Sequence, residues 1–512
     1  MRLDEVIDTG EIVADGLQGE AAAVEIKGLA YDSRAVAPGS LFFCVTGFQR
    51  DGHDFAAEAL ARGAVALVVE RPLGLGAPEV LVPSARAAMG PAAVRFYGDP
   101  SAELRVVGVT GTNGKTTTAF LLKALLEVAD PDSSCGLLGT VKSVIGGVER
   151  ATDRRSTGSP TDGRSDGISV SASQRTTPEA IDLQADFRAM LDGGDGACAI
   201  EVSSHALSLG RAEGIHFAAA IFTNLTQDHL DFHASMEDYF QAKRRLFQAD
   251  PGVSIVNVGD PYGRRLAGEI DGVVTFAVEG HADYSATDLR CDVLGCRFVL
   301  HTPVGVAEVM LPMPGRFNVA NALGALAAVH ALGGDVDTLV AALERGVPVP
   351  GRFESVEAGQ EFAVIVDYAH TPDSLENVLR AVRDIAAGRV ICVFGAGGDR
   401  DRGKRPLMGE IAARLADVVV VTSDNPRSEA PEAIVSEIVA PIVESAPHVE
   451  VDRRTAIERA IALAEVDDVV VIAGKGHEQG QELAKGVKLP FDDVTVAREV
   501  LSARIAPARA GR

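Results

Sequence analysis

The residues at 107–118 are of the types that bind the phosphates of a nucleotide triphosphate. An apolar run, which predicts a buried strand, leads into Gly111-Thr112-Asn113-Gly114, and a helical pattern follows Lys115. Glycine permits backbone angles that turn several N–H groups toward one anion, and a helix start adds the positive end of its dipole. In such a loop the lysine contacts the β- and γ-phosphates, and the hydroxyl after it, here that of Thr116, ligates Mg²⁺. The general P-loop spacing is not met because Val109 replaces its first glycine, but Lys-Thr directly after a glycine favours a phosphate site over a simple turn.

Acidic and histidine side chains follow two later apolar runs. Glu201 lies at the end of the run at 197–202, and the carboxyl ends of strands are where α/β proteins bind ligands. A carboxylate there suits Mg²⁺, which prefers oxygen ligands. After the run at 219–223, two aspartates and two histidines, His229 among them, fall within six residues, which is denser than structural roles explain. Lys243 lies on the next predicted helix and by itself is typical of an exposed cation.

The octapeptide Thr-Gly-Thr-Asn-Gly-Lys-Thr-Thr at 110–117 resembles the ATP loop of the Mur ligases and of the related folylpolyglutamate synthetases, which join an amine to a carboxylate using ATP. The resemblance implies that Lys115, His229 and Lys243 are catalytic, and that Lys243 is carbamylated, which makes its ammonium a carboxylate-like metal ligand. It implies a pair of Mg²⁺ ions held by Thr116, Glu201, His229 and Lys243. The ATP contacts that it implies are Gly111, Thr112, Asn113, Gly114, Lys115, Thr116, Thr117, Asn321, Arg352, Asp367 and His370.

The resemblance also implies the acceptor, UDP-N-acetylmuramoyl-L-alanyl-D-glutamate. Its UDP portion is expected to contact Ser33 and the loop Phe48-Gln49-Arg50. Its muramoyl-peptide portion is expected to contact Thr176, Thr177, Ser203 and Arg211. The chain departs from the family at Leu209, where a relative has glutamine, and at 150–174. That segment is rich in Ser, Thr, Asp, Gly and Arg, is longer than the usual link, and predicts a flexible surface loop.

The added amino acid is indicated by Asp424-Asn425-Pro426-Arg427-Ser428-Glu429. It matches the Asp-Asn-Pro-Arg-x-Glu motif of the family members that add meso-2,6-diaminopimelate. A guanidinium holds a carboxylate through a two-pronged bond, so Arg427 and Arg400 are the expected partners of the second carboxylate, and Glu478 of the second ammonium. The predicted contacts of the amino acid are Arg400, Asp424, Asn425, Pro426, Arg427, Gly474 and Glu478.

Three other interpretations remain open. A folylpolyglutamate synthetase shares the loop and the ligase chemistry but lacks the first domain and the Asp-Asn-Pro-Arg motif. An L-lysine-adding relative shares everything except that motif. A non-enzymatic nucleotide switch needs only the phosphate loop, and it leaves Lys243 and the arginine pair unexplained.

These patterns predict an α/β protein of three domains. A small N-terminal α/β domain at 1–103 is expected to bind the UDP-linked substrate. The central domain at 104–348 is expected to bind ATP on a P-loop-type parallel sheet with helices on both faces. The domain at 349–512 is expected to be Rossmann-like and to bind the amino acid. Its four predicted strands are at 363–367, 389–394, 417–422 and 468–473.

The composition restricts the partners. A net charge of −24 argues against a general nucleic-acid binder, which needs a basic surface. No apolar run approaches the ~20 residues of a membrane span, and the start of the chain lacks a signal-peptide pattern. The six cysteines show no zinc spacing and are expected to be reduced core thiols. We therefore expect a cytoplasmic monomer, with neither a membrane nor a nucleic-acid partner. Its implied role is peptidoglycan precursor synthesis, and with it cell-wall formation, cell shape and cell division.

Overall fold

The computed structural model describes residues 1–8, 21–47, 50–150, 176–443 and 446–510, with side chains up to residue 504. Phe48, Gln49 and the segment 151–174 lie outside the described residues. The chain divides into two compact units, each described here by itself. The first comprises 1–108, 130–220 and 242–252, and the second comprises 109–129, 221–241 and 253–512.

The N-terminal part of the first unit contains a parallel four-stranded sheet in the order β1-β2-β3-β4. Its strands are β1 (Gly28–Ala30), β2 (Ser40–Phe43), β3 (Ala64–Val69) and β4 (Glu79–Leu81). The helices are α1 (Leu3–Val6), α2 (Ala56–Ala61), α3 (Ala85–Tyr97) and α4 (Pro100–Glu103). The small N-terminal α/β fold is as expected.

An eleven-stranded sheet forms the centre of the chain, in the order β15-β14-β13-β12-β11-β10-β5-β9-β6-β7-β8. The strands are β5 (Arg105–Thr110), β6 (Ser134–Leu138), β7 (Ser143–Ile145), β8 (Val148–Arg150), β9 (Asp195–Glu201), β10 (Phe217–Phe222), β11 (Ser254–Asn257), β12 (Val274–Ala277), β13 (Tyr284–Asp292), β14 (Gly295–Thr302) and β15 (Gly305–Leu311). The helices of this region are α5 (Lys115–Ala129), α6 (Ala180–Asp192), α7 (Ser204–Ser208), α8 (Met236–Gln248), α9 (Pro261–Ala267), α10 (Arg316–Ala331) and α11 (Val336–Glu344).

The apolar runs at 197–202 and 219–223 form β9 and β10, but the sheet is mixed rather than wholly parallel. β6–β7–β8 and β13–β14–β15 pair antiparallel. Along β13 only Tyr284 and Ala286 are buried, and the later residues are intermediate or exposed, so this strand has no continuous apolar run. Continuous apolar runs in the sequence therefore do not indicate the antiparallel strands of this sheet.

The expectation that all six cysteines are reduced is wrong for one pair. Cys291 and Cys296 are joined by a disulfide. They face each other in the register of the β13–β14 hairpin, with Cα atoms 4.0 Å apart. The sequence did not predict this disulfide because the two cysteines become neighbours only when β13 pairs with β14. The other four cysteines are buried and belong to no disulfide of the described residues, and burial raises the pKa of Cys392 to about 12.

The C-terminal sheet has the order β16-β17-β21-β18-β19-β20 and is parallel except for β16. Its strands are β16 (Glu354–Ser355), β17 (Ala363–Asp367), β18 (Val390–Phe394), β19 (Val418–Val421), β20 (His448–Val449) and β21 (Val469–Ala473), and β22 (Gln481–Glu482) pairs separately with β23 (Lys488–Leu489). The helices are α12 (Pro372–Ile385), α13 (Lys404–Leu415), α14 (Pro431–Val439), α15 (Arg453–Leu463) and α16 (Asp493–Ala510).

Helices cover both faces of this C-terminal sheet. Apolar residues of α12, α13 and α14 pack in one core, and those of α15 and α16 pack in another. The Rossmann-like expectation is therefore confirmed, including its four predicted strands. Helix α12 begins with a capping box, in which Thr371 and Ser374 bond each other's backbone N–H groups. Among the described residues, no helix is both long and apolar enough to cross a membrane.

Candidate active site

A cavity of about 200 Å³ in the second unit adjoins the glycine-rich loop. Six of the residues predicted to contact ATP line it: Asn113, Gly114, Thr117, Asn321, Arg352 and Asp367. They come from the loop after β5, from the first turn of α5, from α10, from the segment before β16 and from the end of β17. The fold thus collects around one cavity residues that lie more than 200 positions apart in the sequence.

The loop between β5 and α5 needs glycine at position 114. Gly114 has φ +88°, in the left-handed region, and a Cβ there would overlap the side-chain oxygen of Asn321. The same contact places Asn321 against the loop. A glycine in this position is therefore required both by the backbone angle and by the side chain facing it.

Gly114→Ala is expected to weaken ATP binding by ~10-fold or more, because a shifted loop misdirects its N–H groups. The matched control is Gly333→Ala. Gly333 has a similar φ of +99° but no atom within 4 Å of an added Cβ. Calorimetric titration with ATP checks the prediction, and equal affinities of the two variants would contradict it.

Asn113 is held at the tip of the loop by residues from distant segments. Its backbone N–H donates to Asn224 Oδ1 (2.9 Å), and its carbonyl accepts from Thr223 Oγ1 (2.6 Å). Its amide donates to Asp373 Oδ2 (2.6 Å), at the start of α12. Lys115 Nζ donates to the carbonyls of Gly111 (2.9 Å) and Thr112 (2.8 Å) and so lies directly over the loop.

Arg352 stands beside the hydroxyl predicted to bind magnesium. Its Nη2 donates to Thr116 Oγ1 at 3.1 Å, and its guanidinium stacks 4.5 Å from the ring centre of Tyr368. Burial raises the pKa of Asp367, which accepts the backbone N–H of Phe353 (2.7 Å). The guanidinium of Arg352 thus lies beside the first turn of α5.

His370 follows β17 and is half-buried beside the ammonium of Lys404. Burial, then the nearby Lys404 ammonium, lowers its pKa. Its Nδ1 lies 2.8 Å from the carbonyl of Tyr368, and Lys404 Nζ donates to the His370 carbonyl (2.9 Å). The imidazole is therefore favoured in its neutral form.

The predicted amino-acid contacts form a second cluster in the same unit. Arg427 Nε donates to Glu482 Oε2 (2.9 Å), and its Nη1 donates to the Gly398 carbonyl (2.7 Å). Arg400 is exposed and shares this corner, because a Cβ on Gly397 would lie 3.0 Å from Arg427 Nη1 and 3.9 Å from Arg400 Cγ. The two arginines therefore lie close to each other at Gly397.

The carboxylate of Glu478 belongs to the same cluster. Asn425 Nδ2 donates to Glu478 Oε2 at 2.8 Å, and Asn425 Oδ1 accepts the backbone N–H of Glu482 (2.9 Å). Asp424 and Gly474 are in contact, since a Cβ on Gly474 would lie 2.5 Å from Asp424 Oδ2. Pro426 connects these residues to Arg427.

The first unit holds the remaining predicted contacts. Thr177 Oγ1 donates to the carbonyl of Glu201 (2.9 Å) and accepts the backbone N–H of Ser203 (3.0 Å). Thr176 Oγ1 accepts from Thr140 Oγ1 (3.1 Å), and Thr140 also donates its backbone N–H to Glu201 Oε1 (2.8 Å). Thr177, Glu201 and Ser203 therefore meet at the end of β9, and Thr176 is connected to Glu201 through Thr140.

Arg211 is positioned by a carboxylate that the sequence analysis did not single out. Its Nε lies 3.1 Å from Glu179 Oε1, and its Nη1 donates to the Thr177 carbonyl (3.2 Å). Glu179 also pairs with Arg86 of α3 (3.2 Å). Its place directly after Thr-Thr-Pro was the available signal.

Ser33 and Arg50, predicted for the UDP portion, both lie in the N-terminal part of the first unit. Ser33 is buried in a short 3₁₀ helix that Asp32 caps, and Arg50 is exposed. Their partners in the prediction, Phe48 and Gln49, fall outside the described residues.

The predicted metal ligands are divided between the units. Glu201 and Lys243 belong to the first unit, and Thr116 and His229 belong to the second. Within the described ranges, no group of three or more His, Cys, Asp or Glu side chains is placed to hold a metal ion. Thr116 and the predicted carbamate of Lys243 are not among those four residue types, so the magnesium set stays a prediction.

Family models match three consecutive parts of the chain. They are the Mur ligase family, catalytic domain at 25–97, the Mur ligase middle domain at 109–329, and the Mur ligase, glutamate ligase domain at 351–476. The chain is 45% identical over 492 residues to the UDP-N-acetylmuramoyl-L-alanyl-D-glutamate–2,6-diaminopimelate ligase of Syntrophomonas wolfei, covering 94% of this chain and 96% of that protein. It is 46% identical over 494 residues to the ligase of that name from Geobacillus kaustophilus.

Solved structures give the same picture of the fold. A structure of a ligase with that name is 34% identical, has a TM-score of 0.66 and covers 98% of this chain and 99% of its own. The MurF ligase of Thermotoga maritima, solved in complex with ADP, has a TM-score of 0.65 at 19% identity, covering 97% of this chain and all of its own, which shows a shared fold.

Proposed function

Because the chain belongs to the Mur ligase family, we propose that it joins meso-2,6-diaminopimelate to the D-glutamate carboxylate of UDP-N-acetylmuramoyl-L-alanyl-D-glutamate. ATP is converted to ADP and phosphate. The observation that carries this proposal is Arg427, which lies beside Arg400 and is oriented by Glu482. The relatives with this activity in their names align with 94% of the chain.

The reaction proceeds in two steps. A carboxylate oxygen of D-glutamate attacks the γ-phosphorus, and the bond from that phosphorus to the bridging oxygen of ADP breaks. The product is an acyl phosphate. The amine of the added amino acid attacks its carbonyl carbon, the bond from carbon to the phosphate oxygen breaks, and the nitrogen loses a proton. Neither step needs a protein nucleophile. The protein accelerates both steps by positioning the substrates and neutralising their charge.

In this proposal the glycine-rich loop binds the phosphates of ATP. Lys115 Nζ exchanges its two loop carbonyls for phosphate oxygens as charge develops at the γ-phosphate. Asn321 and Asp367, which line the cavity of about 200 Å³, bind the nucleoside part. Arg352, whose guanidinium donates to the Thr116 hydroxyl, neutralises charge on the γ-phosphate.

The four residues proposed to hold magnesium have suitable ligand chemistry. Thr116 supplies a hydroxyl and Glu201 a buried carboxylate, both of them oxygen ligands of the kind Mg²⁺ prefers. His229 and carbamylated Lys243 complete the proposed set for a pair of ions. Bound there, Mg²⁺ would neutralise phosphate charge.

The domain boundaries at 1–103, 104–348 and 349–512 are part of the same proposal, with the UDP-linked substrate, ATP and amino acid bound in that order along the chain. So are a cytoplasmic location, a monomeric state and a role in peptidoglycan precursor synthesis. A substrate activated by UDP and a reaction driven by ATP suit that compartment.

Lys243→Ala is expected to be nearly inactive, because losing a metal ligand should cost more than the ~10- to 100-fold typical of losing an outer-shell partner. Lys243 is buried on α8, and a carbamate there would offer oxygen ligands to Mg²⁺. Formate or acetate should restore part of the rate. Gln248→Ala, on the exposed face of the same helix, is the control.

The carbamate has a readout that is independent of activity. With ¹³C-bicarbonate, the native protein should show a carbamate carbon resonance that the Lys243→Ala variant lacks. Identical spectra, together with no rescue by short carboxylic acids, would remove carbamylation from the proposal.

A ligation assay with a panel of amino acids tests the function as a whole. ADP release should depend on the UDP-linked acceptor and be fastest with meso-2,6-diaminopimelate. Preference for L-lysine would favour the lysine-adding relative, and glutamylation of a folate would favour the synthetase.

A further inference from the structure

Lys475 is a buried cation beside the predicted amino-acid site. It follows Gly474 at the end of β21, and its side chain is 0% exposed. Its Nζ donates to Asn425 Oδ1 at 2.8 Å and to Glu478 Oε2 at 3.1 Å. A buried ammonium is costly unless it is paired, so these two contacts fix both Lys475 and its partners.

The two carboxylate oxygens of Glu478 have different surroundings. Oε2 accepts from Lys475 Nζ and from Asn425 Nδ2. Oε1 has one contact among the described residues, with the Tyr368 hydroxyl at 3.5 Å. Glu478 is partly exposed, so Oε1 is the oxygen left for a ligand.

Asp424 is a second carboxylate near the same cation. Burial by itself would raise its pKa, but Lys475, followed by Arg453, holds that pKa below its ordinary value. Arg453 is itself paired with Asp493 at 2.7 Å, in a fully buried ion pair. Lys475 therefore interacts with Asp424 as well as with Glu478.

We propose that Lys475 is a positioning residue of the amino-acid site: it holds Glu478 through Oε2 so that Oε1 faces the second amino group of a diamino acid. This inference rests on the proposed function. It adds a specificity determinant outside the predicted contacts, since Lys475 has no exposed surface and acts through Glu478 and Asn425.

Lys475→Met tests this role because methionine has similar length and no charge or N–H group. The KM for meso-2,6-diaminopimelate should rise ~10- to 100-fold, the scale of losing hydrogen bonds to a charged group. The KM for ATP should stay within about twofold, because the phosphate loop does not contact Lys475. With 2-aminopimelate, which lacks the second amino group, kcat/KM should change little.

A double-mutant cycle separates positioning from a general structural role. If Lys475 acts through Glu478, Lys475→Met should add little to the effect of Glu478→Gln. The matched control is Lys485→Met, an exposed lysine whose replacement should leave every constant unchanged. Thermal unfolding verifies that the variants are folded. If Lys475→Met does not fold, Lys475→Arg and Lys475→Gln replace it, and only the arginine variant should keep the preference for diaminopimelate over 2-aminopimelate.

The outcomes are distinct. Equal losses with diaminopimelate and 2-aminopimelate, a joint rise of all KM values, or full additivity with Glu478→Gln would overturn the role of Lys475. A native protein that ligates no diaminopimelate would instead overturn the proposed function, whatever Lys475→Met does.

Discussion

Arg427→Ala is expected to raise the KM for meso-2,6-diaminopimelate by roughly 30- to 5000-fold, the range for truncating one partner of a desolvated, hydrogen-bonded charge pair. Glu482 and the Gly398 carbonyl fix Nε and Nη1 of this guanidinium. For Nη2 no partner occurs among the described residues, so one edge of the group is left for a carboxylate. Initial rates with each substrate varied in turn measure the effect.

Other substrates and variants make this test specific. The KM values for ATP and the UDP-linked acceptor should change little. Arg427→Lys should rescue poorly because an ammonium cannot make the paired contact. L-lysine lacks the second carboxylate, so it should be a poor substrate that loses little further in the variant. Arg414→Ala, an exposed arginine of α13, is the control. Three KM values that rise together would make Arg427 structural.

Lys115→Ala is expected to lower kcat by at least ~100-fold while the protein remains folded, because neutralising phosphate charge is a large part of catalysis in phosphoryl transfer. Its Nζ already lies over the loop, on the carbonyls of Gly111 and Thr112. Single-turnover formation of ADP measures the step directly.

Lys123→Ala provides the matched control for Lys115→Ala. Lys123 lies two turns further along α5 and pairs with Glu127. Near-native turnover in a folded Lys115→Ala protein would remove the phosphate site from the loop. A loss of equal size in both variants would point to damage of the helix instead.

The amino-acid sequence by itself determined the features that depend on neighbouring residues. The phosphate loop is one of them, because the strand, the glycines and the helix start that build it are contiguous at 107–118. The four C-terminal strands are another, since a parallel strand buried on both faces appears as a continuous apolar run. The Asp-Asn-Pro-Arg motif indicated the amino acid in the same local way.

Only the tertiary structure decided which distant groups meet. Asn321, Arg352 and Asp367 surround the cavity beside the loop because α10, β16 and β17 are packed there. The register of β13 with β14 joins Cys291 to Cys296. Three side chains have contacts that the sequence pattern does not indicate, because they depend on this packing: Glu179, Lys475 and Glu482. The physical reason is that the pattern along the chain sets strands and helices, whereas the partner of a buried charge is set by segments that become neighbours only on folding.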